Sequence, residues 1–165
     1  MSGSHSQPAG ADAPPVPPLA PEIALVPPRA EFVYEAVFDL APMRALGPSP
    51  RGERRIVPIS GGRFAGPRLR GTVLAGGADR QLVRADGLRE LDALYELETD
   101  DGAVLTVRNR VLIDPSPGAR RTAFSTLTIA APSGPHDWLN RGVFIGALIG
   151  LAPRPQVLIR VFQLA

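Results

Sequence analysis

Residues 61–79 hold six of the chain's 17 glycines, including the doublets Gly61-Gly62 and Gly76-Gly77. Backbone this rich in glycine turns tightly or passes close to another surface. It cannot be a regular helix, and it must be satisfied by turns and short strands. Arg63, Arg68, Arg70 and Asp79 stand among these glycines, so charged groups are carried on turns that can present them to a ligand. Neither doublet has the spacing of a nucleotide-binding loop or opens onto a predicted helix.

The flanking sequence repeats the theme. Glu31–Leu40 alternates in the manner of a strand, and Glu53–Ile59, Arg68–Leu74 and Arg80–Arg84 follow as short strands. Pro58 places the end of the second at an edge or a bulge. Ala41–Arg51, with Pro42, Gly47, Pro48 and Pro50, reads as a loop. Leu88–Glu98 has both a helical stripe and a strand face. Thr99-Asp100-Asp101-Gly102 is a hairpin signal and Ala103–Ile113 is β-rich, which decides for a strand. Further strands are expected at Arg120–Ala130, Arg141–Ile149 and Val157–Ala165. Short strands with Gly/Pro turns and little helix predict an all-β chain, an antiparallel sandwich or barrel.

A two-residue turn at Asp101-Gly102 sets a register in which Leu97 faces Thr106, Tyr95 faces Arg108 and Ala93 faces Arg110. Neither face of that hairpin is cleanly apolar. A sandwich should show one apolar face; a small barrel around a polar-lined cavity accounts for mixed faces.

Residues 1–28 carry eight of the 19 prolines. This segment buries too little to offset its ordering and is expected to be a disordered Pro/Ala-rich tail. The folded domain is expected over 29–165, and 165 residues suit one domain with a real core.

Composition excludes several chemistries. All 18 basic residues are arginine, so no lysine can form a Schiff base. There is no cysteine to serve as nucleophile or metal ligand. The two histidines, His5 and His136, lie far apart and give no metal-ligand spacing, so no metal and no cofactor is expected. A net charge of +2, without basic runs interleaved with aromatics, argues against nucleic acid. The apolar run Gly142–Ala152 is too short to span a bilayer as a helix. No charged start precedes an apolar signal core, so a cytoplasmic location without a membrane partner is expected.

The pieces Glu53–Gly62, Gly66–Gly71, Gly76-Gly77-Ala78-Asp79, Leu82-Val83-Arg84, Asp86-Gly87, Tyr95, Thr99–Gly102, Val107–Arg110 and Trp138–Arg141 occur in one order over residues 30–165. In these the chain resembles the DUF3237 family, also called UPF0311. The resemblance implies a small antiparallel β-barrel. It leaves the proline-rich tail outside the pattern and does not fix a biochemical role.

Seven residues are candidates for a site. Asp79 is either a carboxylate at a barrel mouth, acting as general base, or a turn residue capping backbone amides. Tyr95 beside Arg108 can hold an oxyanion, or can simply staple two strands. Arg70 and Arg110 can bind a substrate carboxylate or pair with surface acids. His136 precedes Asp137, but adjacency gives no catalytic triad. Trp138 is a wall of the pocket or a plug at the barrel end. These residues support a cofactor-free enzyme that runs isomerase, cyclase or hydratase-lyase chemistry on a carbonyl or enol-type small molecule. The alternative is a small-molecule binding protein without chemistry. Edge strands such as Val157–Ala165 make a homodimer compatible with either.

Overall fold

The computed structural model describes residues 17–116 and 122–165. The disorder expected of the tail falls largely on residues 1–16, and the start of the predicted strand Arg120–Ala130 on 117–121, both outside the described residues. Residues 17–29 run as exposed chain without a strand.

Ten antiparallel strands follow: β1 (Ala30–Leu40), β2 (Arg44–Ser49), β3 (Gly52–Ala65), β4 (Arg70–Val73), β5 (Ala78–Val83), β6 (Arg89–Thr99), β7 (Val104–Ile113), β8 (Ala123–Ala130), β9 (Val143–Gly150) and β10 (Gln156–Leu164). One short 3₁₀ turn, Asp137–Arg141, lies between β8 and β9. The strand order runs β1-β10-β9-β8-β7-β6-β4-β3, and β1 pairs again with β3, which closes an eight-stave barrel. β4 and β5 share one stave between β3 and β6. Among the described residues, no helix is long and apolar enough to cross a membrane.

β2 corrects the loop expected over Ala41–Arg51. Pro48 lacks an N–H and Gly47 takes φ +84, yet the segment pairs with β3 as an outer ribbon. An edge position tolerates the missing donor.

The first glycine doublet lets β3 serve two neighbours. Asp39 pairs with Gly61 but Leu40 with Ile59, so Ser60 is a bulge. The bulge turns the strand's alternation over. Ile59 is buried before it and Phe64 after it, as a bulged strand bending round a barrel requires. Gly62 has φ +143, and a Cβ there would lie 2.2 Å from the Val37 carbonyl oxygen. The backbones of β1 and β3 therefore close at a point where only glycine fits.

The β6–β7 turn differs from the expectation by one residue, and the difference matters. Thr99 N–H donates to the Ala103 carbonyl (2.9 Å) and Gly102 N–H to the Thr99 carbonyl (2.8 Å). Asp100-Asp101-Gly102 is thus a three-residue loop, with Gly102 at φ +83. Leu97 pairs with Leu105, Tyr95 with Val107 and Ala93 with Asn109. A one-residue slip sends every side chain of a strand to the other face. The mixed faces inferred from the sequence disappear: Leu105, Val107 and Val111 join Tyr95 and Leu97 in the core, while Arg108 and Arg110 go to the outside.

The core is a sleeve of aliphatic and aromatic side chains. Phe38 packs edge-on to Tyr95 at 4.7 Å between ring centroids, and Tyr34 on Phe64 at 5.7 Å. One end of the sleeve is plugged. Leu139 of the 3₁₀ turn is buried and Trp138 packs beside Phe144. Asn140 pins the turn to Ala131, accepting from its N–H (2.9 Å) and donating to its carbonyl (3.0 Å).

Candidate functional site: a carboxyl in the open end of the barrel

The end opposite the plug is hollow. A cavity of about 220 Å³ opens there, walled mainly by apolar side chains such as Phe38, Leu40, Ile59, Leu148 and Val157. Four polar residues besides Tyr95 reach its lining: Asp79, Gln81, Asn109 and Gln156. The hollow expected from the sequence is present, but its wall is mostly greasy.

Asp79 is brought in by the second glycine doublet. The chain between β4 and β5 crosses tightly over β6, where a Cβ on Gly77 would lie 2.7 Å from that of Tyr95. Two residues later β5 turns Asp79 into the lumen, between Val57 of β3 and Ala93 of β6. Gln81 Nε2 donates to Asp79 Oδ2 at 2.7 Å. Asp79 Oδ1 is buried without a partner. Burial pushes the carboxyl above the usual aspartate range, against the smaller lowering effect of Gln81.

Tyr95 is fully buried at the inner end of the cavity. Its hydroxyl and that of Tyr34 are neighbours, but their geometry is not that of a hydrogen bond and both oxygens remain unpartnered. Burial first, and then the adjoining Tyr34 phenol, pushes Tyr95 well above the ordinary phenol range. Tyr95 is therefore a neutral phenol at physiological pH, able to donate a hydrogen bond but not poised to ionise. Asn109 and Gln156 also carry side-chain oxygens that are buried and unpartnered.

The structure separates the sequence candidates. It brings Asp79 and Tyr95 to one cavity. Arg108, expected across from Tyr95, is on the outer face and makes a two-pronged pair with Asp92 (Nε–Oδ1 2.8 Å, Nη2–Oδ2 2.6 Å). The Arg108 guanidinium holds the Asp92 carboxyl below its usual range. The Tyr95–Arg108 oxyanion pair therefore does not form. Arg110 is likewise outside, 3.8 Å from Asp92. Arg70 lies in the open, 3.8 Å from Asp100.

Trp138 is part of the plug, with the Arg68 guanidinium 3.7 Å from its ring centre, and not a wall of the cavity. His136 sits beside the plug, its Nε2 2.9 Å from Asp101 Oδ2. Thr99 Oγ1 donates to the same carboxylate. This trio latches the plug to the β6–β7 turn. Among the described residues, no group of three or more His, Cys, Asp or Glu is placed to hold a metal ion.

An exposed pair such as Arg108–Asp92 contributes little to stability. Arg108→Ala is expected to leave the urea denaturation midpoint essentially unchanged. A clear drop would mean that the outer face carries more of the fold than its exposure suggests.

Asn109 and Gln156 are cavity residues that sequence reading missed. Asn109 had a usable signal: it is a lone amide in the otherwise apolar series Leu105, Val107, Val111 on one face of β7. Gln156 had none, because it is the first residue of its strand.

Comparison with known proteins agrees with this architecture. A family described as "Protein of unknown function (DUF3237)" matches residues 28–164. A UPF0311 protein of Rhodopseudomonas palustris is 42% identical over 81 residues, 49% of this chain and 53% of that protein. The chain thus matches about half the length of that relative. A crystal structure of a β-barrel-like protein from Acinetobacter baumannii superposes with a TM-score of 0.79 at 31% identity, covering 86% of this chain and 99% of that one. A Penicillium herquei protein named as the hydroalkoxylation enzyme phnH is 29% identical over 114 residues, 69% of this chain and 70% of that protein.

Proposed function

The chain belongs to the DUF3237 family, and from that premise we propose that its barrel is an acid–base enzyme acting on a small, neutral, largely apolar molecule held in the open-end cavity. One observation carries the reading. Asp79 is a buried carboxyl with a raised pKa on the wall of an apolar hollow, one oxygen held by Gln81 and the other buried without a partner. Burial makes this carboxyl hold its proton more readily than a free aspartate, as a group that both gives and takes a proton requires. The absence of any arginine from the cavity lining disfavours an anionic substrate.

The Penicillium relative supports one reaction class. Hydroalkoxylation adds the O–H of an alcohol across a carbon–carbon double bond. In this barrel, protonated Asp79 gives its proton to one alkene carbon. The substrate hydroxyl oxygen bonds to the other carbon and its proton passes to the Asp79 carboxylate. The O–H and π bonds break, new C–H and C–O bonds form, and Asp79 ends as it began. Within one molecule this closes a cyclic ether. Tyr95 and Phe38 form the aromatic floor beneath the reacting carbons, where ring faces favour developing positive charge.

The test is solvent isotope incorporation. Neutral unsaturated alcohols and phenols incubated with the protein in D₂O are expected to yield cyclic ethers carrying one deuterium on carbon, read by mass spectrometry. Ether formed without deuterium would overturn the assignment of Asp79 as proton donor to carbon. Binding without any product across such a panel would favour a carrier.

A further inference from the structure

We infer that Asn109 is the residue that recognises the substrate hydroxyl, and that the ligand's oxygen lies over Ala93, between Asn109 and Asp79. This deepens the acid–base reading above and rests on the same cavity.

Two register facts carry it. Asp79 pairs with Ala93 on β6, and Ala93 with Asn109 on β7. The three residues form one row across three adjacent strands, all lining the cavity. Strands two apart are about 9–10 Å from one another, so the two polar residues flank a row position held by alanine. Any larger side chain at 93 would fill the space between them.

The second observation is burial. Asn109 is 1% exposed and its Oδ1 has no partner. Leaving such a group unsatisfied costs its desolvation without a compensating bond, and the large majority of buried amides are hydrogen-bonded. Asn109 and Asp79 both line the cavity and each keeps one buried oxygen without a partner, which makes the pair complementary to a ligand that bonds to both. A hydroxyl donates to the Asn109 Oδ1 that lacks a partner, while its own oxygen can still accept. Its oxygen is then held within reach of Asp79. A site that hydrogen-bonds a hydroxyl rejects the analogue lacking it far more strongly than an apolar pocket rejects a missing methylene.

The probes are 2-allylphenol, a neutral phenol with an alkene, and 2-allylanisole, its methyl ether, which has no hydroxyl. Binding is read by calorimetry on the full chain, so turnover is not needed. Wild type is expected to prefer the phenol at least about tenfold. Asn109→Leu should reduce that preference to about threefold or less. Asp79→Asn should keep at least half of it, because asparagine at 79 still offers the hydroxyl an amide oxygen and an N–H. Ala93→Val should weaken phenol binding about tenfold or more by narrowing the gap.

An Asn109→Leu protein that retains the full preference overturns the inference. If that variant fails to fold, an Ala93→Val protein binding the phenol as well as wild type does so independently. Loss of the preference in Asp79→Asn but not in Asn109→Leu would assign recognition to Asp79 and also overturn it. If no variant or wild type forms ether yet the preference follows Asn109, the hydroxyl site stands and the hydroalkoxylation reading falls.

Discussion

Asp79→Asn is expected to lose turnover by about 10²–10⁴-fold and at the same time to unfold at a higher temperature near neutral pH. The two effects share one cause. In the folded protein burial raises the Asp79 pKa above the value it has in the unfolded chain. At a pH below the unfolded value both states hold the proton, and the carboxyl costs nothing. As pH rises, the unfolded chain releases its proton first while the folded protein keeps it, so stability falls. Above the folded pKa the full cost of a buried carboxylate is present. Asparagine cannot ionise and escapes that cost. The advantage of Asp79→Asn should therefore be small in acid, grow through the window between the two pKa values, and level off beyond it. Thermal unfolding of both proteins from about pH 3 to about pH 8 would show this. A variant no more stable than wild type at neutral pH would overturn the raised pKa, and one with turnover intact would remove Asp79 from the mechanism.

Gly62→Ala is expected to destabilise the barrel by about 3 kcal/mol or more. Alanine there must adopt φ +143, and its Cβ must occupy a point 2.2 Å from the Val37 carbonyl oxygen. Neither backbone can move without breaking the β1–β3 pairing that closes the barrel. Gly87 provides the control. It has φ +86 in a turn, and an added methyl group there would meet nothing within 4 Å. Gly87→Ala should therefore cost only about 1 kcal/mol of backbone strain. Urea unfolding of the two variants separates the effects. Equal losses would mean that the seam yields freely to an added methyl group.

Local pattern made most of the barrel legible. Glu31–Leu40 and Ala103–Ile113 fall where β1 and β7 do, because alternation and turn residues act over a few neighbours. The glycine doublets do what one of the two expectations for them required, the close passage of backbone against another surface. They place strands close together, and only through that packing does Gly77 deliver Asp79 to the lumen. The misread hairpin register shows how little it takes to move a site. Asp100-Asp101-Gly102 is compatible with turns of two or three residues, and that single residue decides whether Arg108 or Asn109 faces inward. The allocation of His136 and Trp138 to the plugged end was not legible either. It depends on pairings such as β1 with β10 and β8 with β9, which join segments too distant for counting along the chain.

The cavity draws Phe38, Asp79, Tyr95, Asn109 and Gln156 from five strands spread over most of the chain. No two consecutive hairpins contain it, so it is assembled only when the first and last strands meet. Sheets built on such remote pairings form slowly, in milliseconds to seconds. Nascent or clipped forms of this protein should be blind to ligand. A bound molecule in turn should act as a clasp on the whole cylinder, raising its resistance to unfolding in proportion to the logarithm of its concentration.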